Sequence, residues 1–523
     1  MAPPMTRPAA HLPAPLRALA AFVLLVSALL APAAAQLDLE DLDIYIEGAR
    51  KDFSVPGLAI AIFQDDRPIF VRGYGTLEEG GEVAVNGDTL FAIASNTKAF
   101  TAASLAILVD EGKISWDDRV IEYLPYFRLY DPWVTNEMRI RDLLSHRSGL
   151  GTFSGDLMWY GSYYDAAEVV RRAQFLKPAG PFRAHYGYSN IMFIAAGEVV
   201  AKVAGIPFGD FVENRILAPL GMDRTVTAVS ELSTMENVAT PHGEIEGKVH
   251  AFEWQPWVNS VAAGGIVSSV NDMSRWLRLQ LRRGELDGEA LFSREAADEM
   301  WTPHISIKVD DRSRKETPST HYRSYGLGWS LMDFHGHQIV QHGGGFDGMF
   351  SRVALVPEKR VGMVILTNSM TPLPVALMYR ILDDLLSDEV RDWSATYVDR
   401  ASRSREQGRS RLQKALQKRA GGTSSSRPLA AYVGEYSGEL YGPIEVSLEN
   451  GRLQLSFRPN PALVGRLRHL HYDTFVLDWD APFPWFGSGT AHFIIDRNGA
   501  VERLELEVPN DDFWFTELEL ARQ

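Results

Sequence analysis

An α+β fold followed by an all-β unit is what this chain predicts. Two strand-like runs near the N-terminus, residues 56–63 and 69–74, are separated from a second strand-rich region, residues 325–368, by a long helical stretch. That order describes one antiparallel sheet flanked by helices, with a helical lobe inserted between its two parts. Beyond a basic and serine-rich segment, residues 428–520 alternate apolar and polar positions between turn signals, the pattern of an antiparallel barrel-like domain.

Length and composition agree with more than one folded unit. The chain has 523 residues, of which 46% are hydrophobic and 23% charged, as in globular proteins. The net charge of −15, from 52 basic and 67 acidic residues, excludes general nucleic-acid affinity, which needs clustered Lys and Arg. The absence of cysteine excludes disulfides, thiolate metal sites and a lipid-anchored cysteine.

At the N-terminus, Arg7 and Arg17 supply a basic region, Leu16 to Leu30 supplies the apolar core, and Ala31-Pro-Ala-Ala-Ala35 ends it with small residues. This reads as a secretory signal cleaved after Ala35, with no membrane span left in the mature chain. A signal without disulfides suggests a bacterial periplasm or exterior. Leu39, Leu42, Ile46 and Ala49 then fall at helical spacing. Pro56–Phe63 and Ile69–Tyr74 form two strands that turn at residues 64–68. Residues 119–245 look mainly helical, with an apolar helix from Ile191 to Val203. Gly264-Gly265 bends into a helix capped by Asn271 or a nearby serine. Strands are expected at Tyr325–Trp329, Gln338–Gln341, Phe350–Val356 and Val361–Asn368. In residues 400–427, Arg403, Arg405, Arg409, Arg411, Lys414, Lys418 and Arg419 crowd together ahead of Gly421-Gly-Thr-Ser-Ser-Ser426, a basic helix and a flexible linker. Asn450-Gly451 between alternating runs marks a hairpin.

Three short stretches carry chemistry. Ser95 and Lys98 lie three apart at the start of an apolar helix, so they share a face. A serine hydroxyl is a poor nucleophile at neutral pH, but an amine of lowered pKa can take its proton. The helix dipole favours negative charge at Ser95. Tyr188-Ser189-Asn190 adds a phenol, which a nearby cation would bias toward phenolate or proton relay. Asn190 can both donate to and accept from a substrate amide. His342-Gly343-Gly344-Gly345 puts glycines at a strand end, where substrate backbone can come close. The amides of Ser95 and Gly345 would form an oxyanion hole, with His342 binding or protonating near the substrate. The remaining histidines read as structural: His146 orders a loop, and neither His335/His337 nor His469/His471 stands with a carboxylate cluster. No metal and no cofactor is expected.

In order and spacing, Ser95/Lys98, Tyr188/Asn190 and His342/Gly344 resemble the serine β-lactamase and penicillin-binding-protein superfamily. The resemblance is to its class C-like branch, which includes esterases, D-aminopeptidases and β-lactamase-related hydrolases. Leu143-Leu-Ser-His-Arg-Ser-Gly-Leu150, Ala218-Pro-Leu-Gly-Met222, Ala263-Gly-Gly-Ile-Val-Ser268 and Tyr325-Gly-Leu-Gly-Trp329 also look like that family. The resemblance implies a β-lactamase/transpeptidase-like fold over residues 36–399. It implies a serine hydrolase that works through an acyl-enzyme on a small ester, amide or peptide. Ser95, Lys98 and Tyr188 would be catalytic, and Asn190, His342, Gly343 and Gly344 would bind substrate. His342 stands where β-lactamases and transpeptidases carry lysine, and it is mostly neutral near pH 7. Esterase or aminopeptidase-like activity is therefore expected over strong β-lactamase activity. The alternative is a sensor or binding protein that acylates without efficient turnover. Residues 428–523 resemble an appended domain of unknown function, with a lipocalin-like barrel implied.

Overall fold

The computed structural model describes residues 37–523, apart from residues 246 and 418; the expected signal, residues 1–35, lies outside the described residues. Helix α1 (Leu39–Asp52) is capped by Asp38, whose carboxylate accepts from the amides of Glu40 and Asp41. Strands β1 (Gly57–Gln64) and β2 (Arg67–Gly75) are joined at Asp65-Asp66, both with positive φ (51° and 65°), as the tight right-twisted hairpin turn requires.

After the lobe come β3 (Ile305–Ile307), β4 (Arg323–Tyr325), β5 (Ser330–Phe334), β6 (His337–Phe346), β7 (Met349–Val356) and β8 (Val361–Thr367). They join the first hairpin in an eight-stranded antiparallel sheet of order β2-β1-β8-β7-β6-β5-β4-β3. Pairing of β1 with β8 closes the sheet across the insertion. Alternate β1 residues serve different cores, as a period of two demands. Leu58, Ile60 and Ile62 pack with α1, with α5 (Leu373–Leu386) and with Trp393 and Tyr397 at the start of α6 (Trp393–Gln417). Ala59, Ala61 and Phe63 face the cluster built on α2 (Thr97–Asp110), α3 (Asn190–Ala204) and α4 (Val270–Leu281).

Three local expectations change or narrow. The strand expected over Tyr325–Trp329 ends at Tyr325, because Gly326-Leu-Gly328 turns tightly beneath α2. A Cβ on Gly328 would lie 2.6 Å from the Lys98 carbonyl oxygen, and its φ is +75°. The cap of α4 is the nearby serine, one of the two expected choices: Ser269 accepts from the Asp272 amide at 3.2 Å, while Asn271 donates to Asp88 at 2.7 Å. The region 119–245 holds several short helices linked by extended loops around the one long helix α3. The basic helix starts at Trp393, and within the glycine–serine segment Ser426 hydrogen-bonds Asp473 at 2.8 Å.

The C-terminal unit is a closed antiparallel barrel of β9 (Gly434–Gly438), β10 (Gly442–Glu449), β11 (Arg452–Phe457), β12 (Val464–His471), β13 (Thr474–Trp479), β14 (Gly489–Ile495), β15 (Val501–Glu507) and β16 (Leu520–Arg522). The expected hairpin turn is Asn450-Gly451, with φ of 50° and 77°. Its interior is packed with side chains such as Tyr436, Phe457, Phe475 and Phe493. Its apolar cluster continues without a break into the helical lobe.

Candidate active site

Helix α2 is buried from Thr97 to Leu108, so it runs through the centre of the core rather than along the surface. A short 3-10 turn, Ala94–Asn96, leads into it and carries Ser95. Ala94 has φ of +48°, an unusual backbone state for a residue with a Cβ, immediately before the serine. Lys98 is fully buried, and its ammonium group meets three acceptors: Ser95 Oγ at 2.9 Å, Asn190 Oδ1 at 2.7 Å and the Ala263 carbonyl at 2.7 Å. Burial pushes its pKa down to about 7, against the opposing pull of Asp156. The neutral amine suits these partners. Two N–H bonds serve Asn190 and Ala263, and the lone pair is left facing the Ser95 hydroxyl.

Tyr188 stands beside Ser95, whose side chain pulls its pKa down against burial, and its ring lies 4.9 Å from Lys98 Nζ. Burial holds its pKa well above the usual phenol value, so the phenolate reading gives way to a neutral phenol that relays a proton. His146 packs on this ring, centroid to centroid at 4.0 Å, and its Nδ1 accepts from the Ser189 amide at 3.0 Å. Burial and the Lys98 charge keep the imidazole neutral. His146 therefore shapes the site as well as its loop. Asn190, the first residue of α3, accepts from Lys98 and donates to Asp156 Oδ2 at 2.6 Å. Burial raises Asp156 to about 8. Asn190 thus touches the base directly, beyond the substrate contact expected of it.

Strand β6 forms the opposite wall. His342 stands in it, but both ring nitrogens are engaged: Nδ1 with the Gly343 carbonyl at 2.6 Å and Nε2 with the Tyr325 hydroxyl at 2.8 Å. The matching tautomer donates from Nδ1 and accepts at Nε2. Burial and Lys98 lower its pKa to about 3. The expectation that His342 protonates near the substrate is corrected accordingly: it is a neutral residue locked to its own strand and to Tyr325. Gly344 is where close approach is needed, since a Cβ there would stand 2.3 Å from the Ile93 carbonyl and 2.9 Å from the Ser95 amide. β6 and β7 are joined by the two-residue turn Asp347-Gly348, so Phe346–Met349 is the closing hydrogen-bonded pair, and bonded pairs recur at every second residue. Gly345, opposite Phe350, falls between them. Its amide faces away from β7, along the edge of β6 that β5 does not reach. Gly343 has only the Arg352 guanidinium where its Cβ would be.

Ser95, Tyr188, Asn190, His342, Gly343, Gly344 and Gly345 all line one cavity of about 460 Å³. Sequence reasoning missed Asp156, which follows no motif, and the barrel's contribution. Trp485, Asp512 and Phe513 come from the C-terminal domain and line the same cavity.

Ser95 beside the buried Lys98, facing a phenol beneath an antiparallel strand, is an arrangement suited to nucleophilic acyl transfer. The chain belongs to the beta-lactamase family, whose description matches residues 42–387; a domain of unknown function, DUF3471, matches residues 418–522. The chain is 30% identical over 365 residues to "Unguisins hydrolase ungD'" of Aspergillus campestris (strain IBT 28561), covering 66% of this chain and 65% of that protein. It is similar to the D-stereospecific amidohydrolase from Streptomyces sp., with 27% identity and a TM-score of 0.51 over 64% of this chain and 94% of that one. The octameric penicillin-binding protein homologue from Pyrococcus abyssi shares the fold over 93% of this chain and 100% of its own, with a TM-score of 0.60 and 22% identity.

Proposed function

We propose that the protein hydrolyses an amide bond of a small peptide-like substrate through an acyl-enzyme on Ser95. The observation that carries this is Lys98 at 2.9 Å from Ser95 Oγ, with burial bringing its pKa to about 7. Neutral Lys98 takes the Ser95 proton as Oγ attacks the carbonyl. The amides of Ser95 and Gly345 receive the negative oxygen. Tyr188 gives its proton to the departing nitrogen and regains one from the protonated Lys98, which returns the amine to its neutral form. Water then attacks the ester, loses a proton to the same base and frees the acid. The relatives named as a hydrolase and an amidohydrolase support the amide end of the ester-to-amide range. Export through cleavage after Ala35, to a periplasm or the exterior, belongs to the same proposal; its support is the sequence of residues 1–35.

Intact-mass measurement after treatment with a fluorophosphonate tests the nucleophile. The wild type should gain one adduct and Ser95→Ala none; equal labelling of the two would remove Ser95 from the mechanism. Steady release of p-nitroaniline from aminoacyl p-nitroanilides is expected of the wild type. A single stoichiometric burst would instead favour a binding protein that acylates without turnover.

A further inference from the structure

The cavity above Ser95 is completed by the barrel, and the barrel brings a carboxylate into it. Asp512 lies between β15 and β16, in a loop held rigid by one side chain. Asn510 Oδ1 accepts from the amides of Asp512 and Phe513 at 2.9 and 2.6 Å, and its Nδ2 donates to the carbonyls of Val508 and Phe513. Phe513 anchors the loop to the lobe by packing on Tyr160, ring centroids 4.5 Å apart. Glu517, just beyond, accepts from the Ser154 hydroxyl and the Gly155 amide at 2.5 and 2.8 Å. The Asp512 side chain thus enters a preformed wall. Its backbone is pinned, yet no protein hydrogen bond or ion pair reaches its carboxylate among the described residues. The indoles of Trp159, Trp257 and Trp485 line the same cavity. Asp156, 2% exposed, lines the same space, and its Oδ1 makes no hydrogen bond of acceptable geometry. The two carboxyl groups are close enough to repel.

A half-buried carboxylate without a partner, walled by aromatic rings, fits a protonated amine: the carboxylate supplies charge-assisted bonds and the ring faces attract a cation. We propose that Asp512, from the C-terminal barrel, determines specificity by binding a substrate ammonium group beside the scissile carbonyl. The substrate class is then aminoacyl amides or peptides with a free amine near the bond cut. This rests on the acyl-enzyme reading of Ser95, and it assigns the appended domain a direct part in substrate choice. Asp512 contacts substrate without taking part in proton transfer, so its loss should leave Ser95 reactive. Burial and Asp511 raise its pKa to about 6, so the preference for an amine should fade as pH drops through that value.

The test uses the full chain and two fluorophosphonate probes that differ only in an aminoalkyl or an acetamidoalkyl arm, with Ser95 labelling rates read by intact mass. The amino probe is expected to label wild type about 10- to 100-fold faster, the range of a charge-assisted hydrogen bond. Asp512→Asn should label with the two probes at equal rates, and Asp512→Glu should restore part of the preference. The same comparison on alanine p-nitroanilide, its N-acetyl derivative and N-acetyl-alanyl lysinamide separates an amine on the acyl side from one on the leaving group. Equal labelling by both probes in wild type overturns the assignment, as does an amine preference that survives in Asp512→Asn. Failure of both probes to label Ser95 overturns the acyl-enzyme reading instead.

Discussion

In the proposed mechanism Lys98 is the residue on which the chemistry depends, and its burial has two measurable consequences. Its pKa is depressed to about 7 because the charged form is desolvated, and the neutral form is the base. The acid limb of kcat/KM against pH should therefore rise through about 7, with loss of activity below it as the amine is protonated. Lys98→Arg, which stays charged, should show no such limb and a rate lower by at least about 100-fold, the low end of general-base contributions. The second consequence concerns stability. The folded pKa lies below the unfolded one, so the unfolded chain binds the extra proton between about 7 and the ordinary lysine value. Stability from this group rises with pH across that window, and the full burial cost is felt below it. Lys98→Met abolishes the term, at the expense of leaving Asn190 Oδ1 and the Ala263 carbonyl without their donor. The absolute change in Tm combines both effects. The difference between variant and wild type isolates the charge and should fall as pH rises from 6 to 9; a pH-independent difference would contradict the buried, shifted amine.

At the scale of elements, strand β6 and helix α2 make the site by approaching each other at Gly344. Gly344→Ala puts a methyl against the Ile93 carbonyl and the Ser95 amide, both backbone atoms that cannot swing aside. It should cost about 1–3 kcal/mol of stability, as overpacking does. Activity should fall further than stability, since β6 carries the Gly345 amide. Gly343→Ala, one residue away, meets a side-chain end first, the Arg352 guanidinium at 3.0–3.2 Å, and should cost less than Gly344→Ala. Denaturant midpoints and turnover of the two variants, measured side by side, check this contrast. Both elements were legible in the sequence. The alternation in β10 and β11 and the apolar runs of β1 and α2 follow from burial, on one face for the former and on every side for the latter. Ser95 and Lys98 were legible from their spacing at the start of α2, the glycines from their run on β6, and Tyr188 from its place two residues before Asn190 at the head of α3. Asp156 and Asp512 were not. Each is a carboxylate in a loop whose neighbours carry no period, and only the tertiary path of the chain brings them to Ser95. The engagement of both His342 nitrogens was hidden for the same reason: one partner, Tyr325, arrives from another strand. The turn at Gly326–Gly328 failed as a strand because helix α2 packs above it, a constraint that no local propensity records.

The whole molecule is joined at Asp347, the turn between β6 and β7. Its buried carboxylate accepts from three donors: the Tyr160 hydroxyl of the lobe at 2.7 Å, the Trp257 indole at 3.0 Å and the Trp485 indole of the barrel at 3.0 Å. Further bonds cross the same boundary. Asn460 donates to the Tyr160 carbonyl at 2.9 Å, and the Tyr164 hydroxyl donates to the Tyr441 carbonyl at 2.6 Å. One apolar cluster spans α2, the lobe and the barrel interior without interruption. A boundary of this kind behaves as core, so separating the two units would expose apolar surface and strand buried polar groups together. The barrel should therefore unfold with the sheet and the lobe. Calorimetry of the full chain is expected to give one transition whose van't Hoff and calorimetric enthalpies agree. Asp347→Ala leaves three buried donors unpaired, at about 1–3 kcal/mol for each. It should lower that single Tm rather than split it if the apolar cluster alone maintains cooperativity. Two resolved transitions in the wild type would show the barrel to be an independent passenger. They would also weaken its claim to hold Asp512 in place above Ser95, since a wall that melts separately cannot fix a carboxylate against the scissile bond.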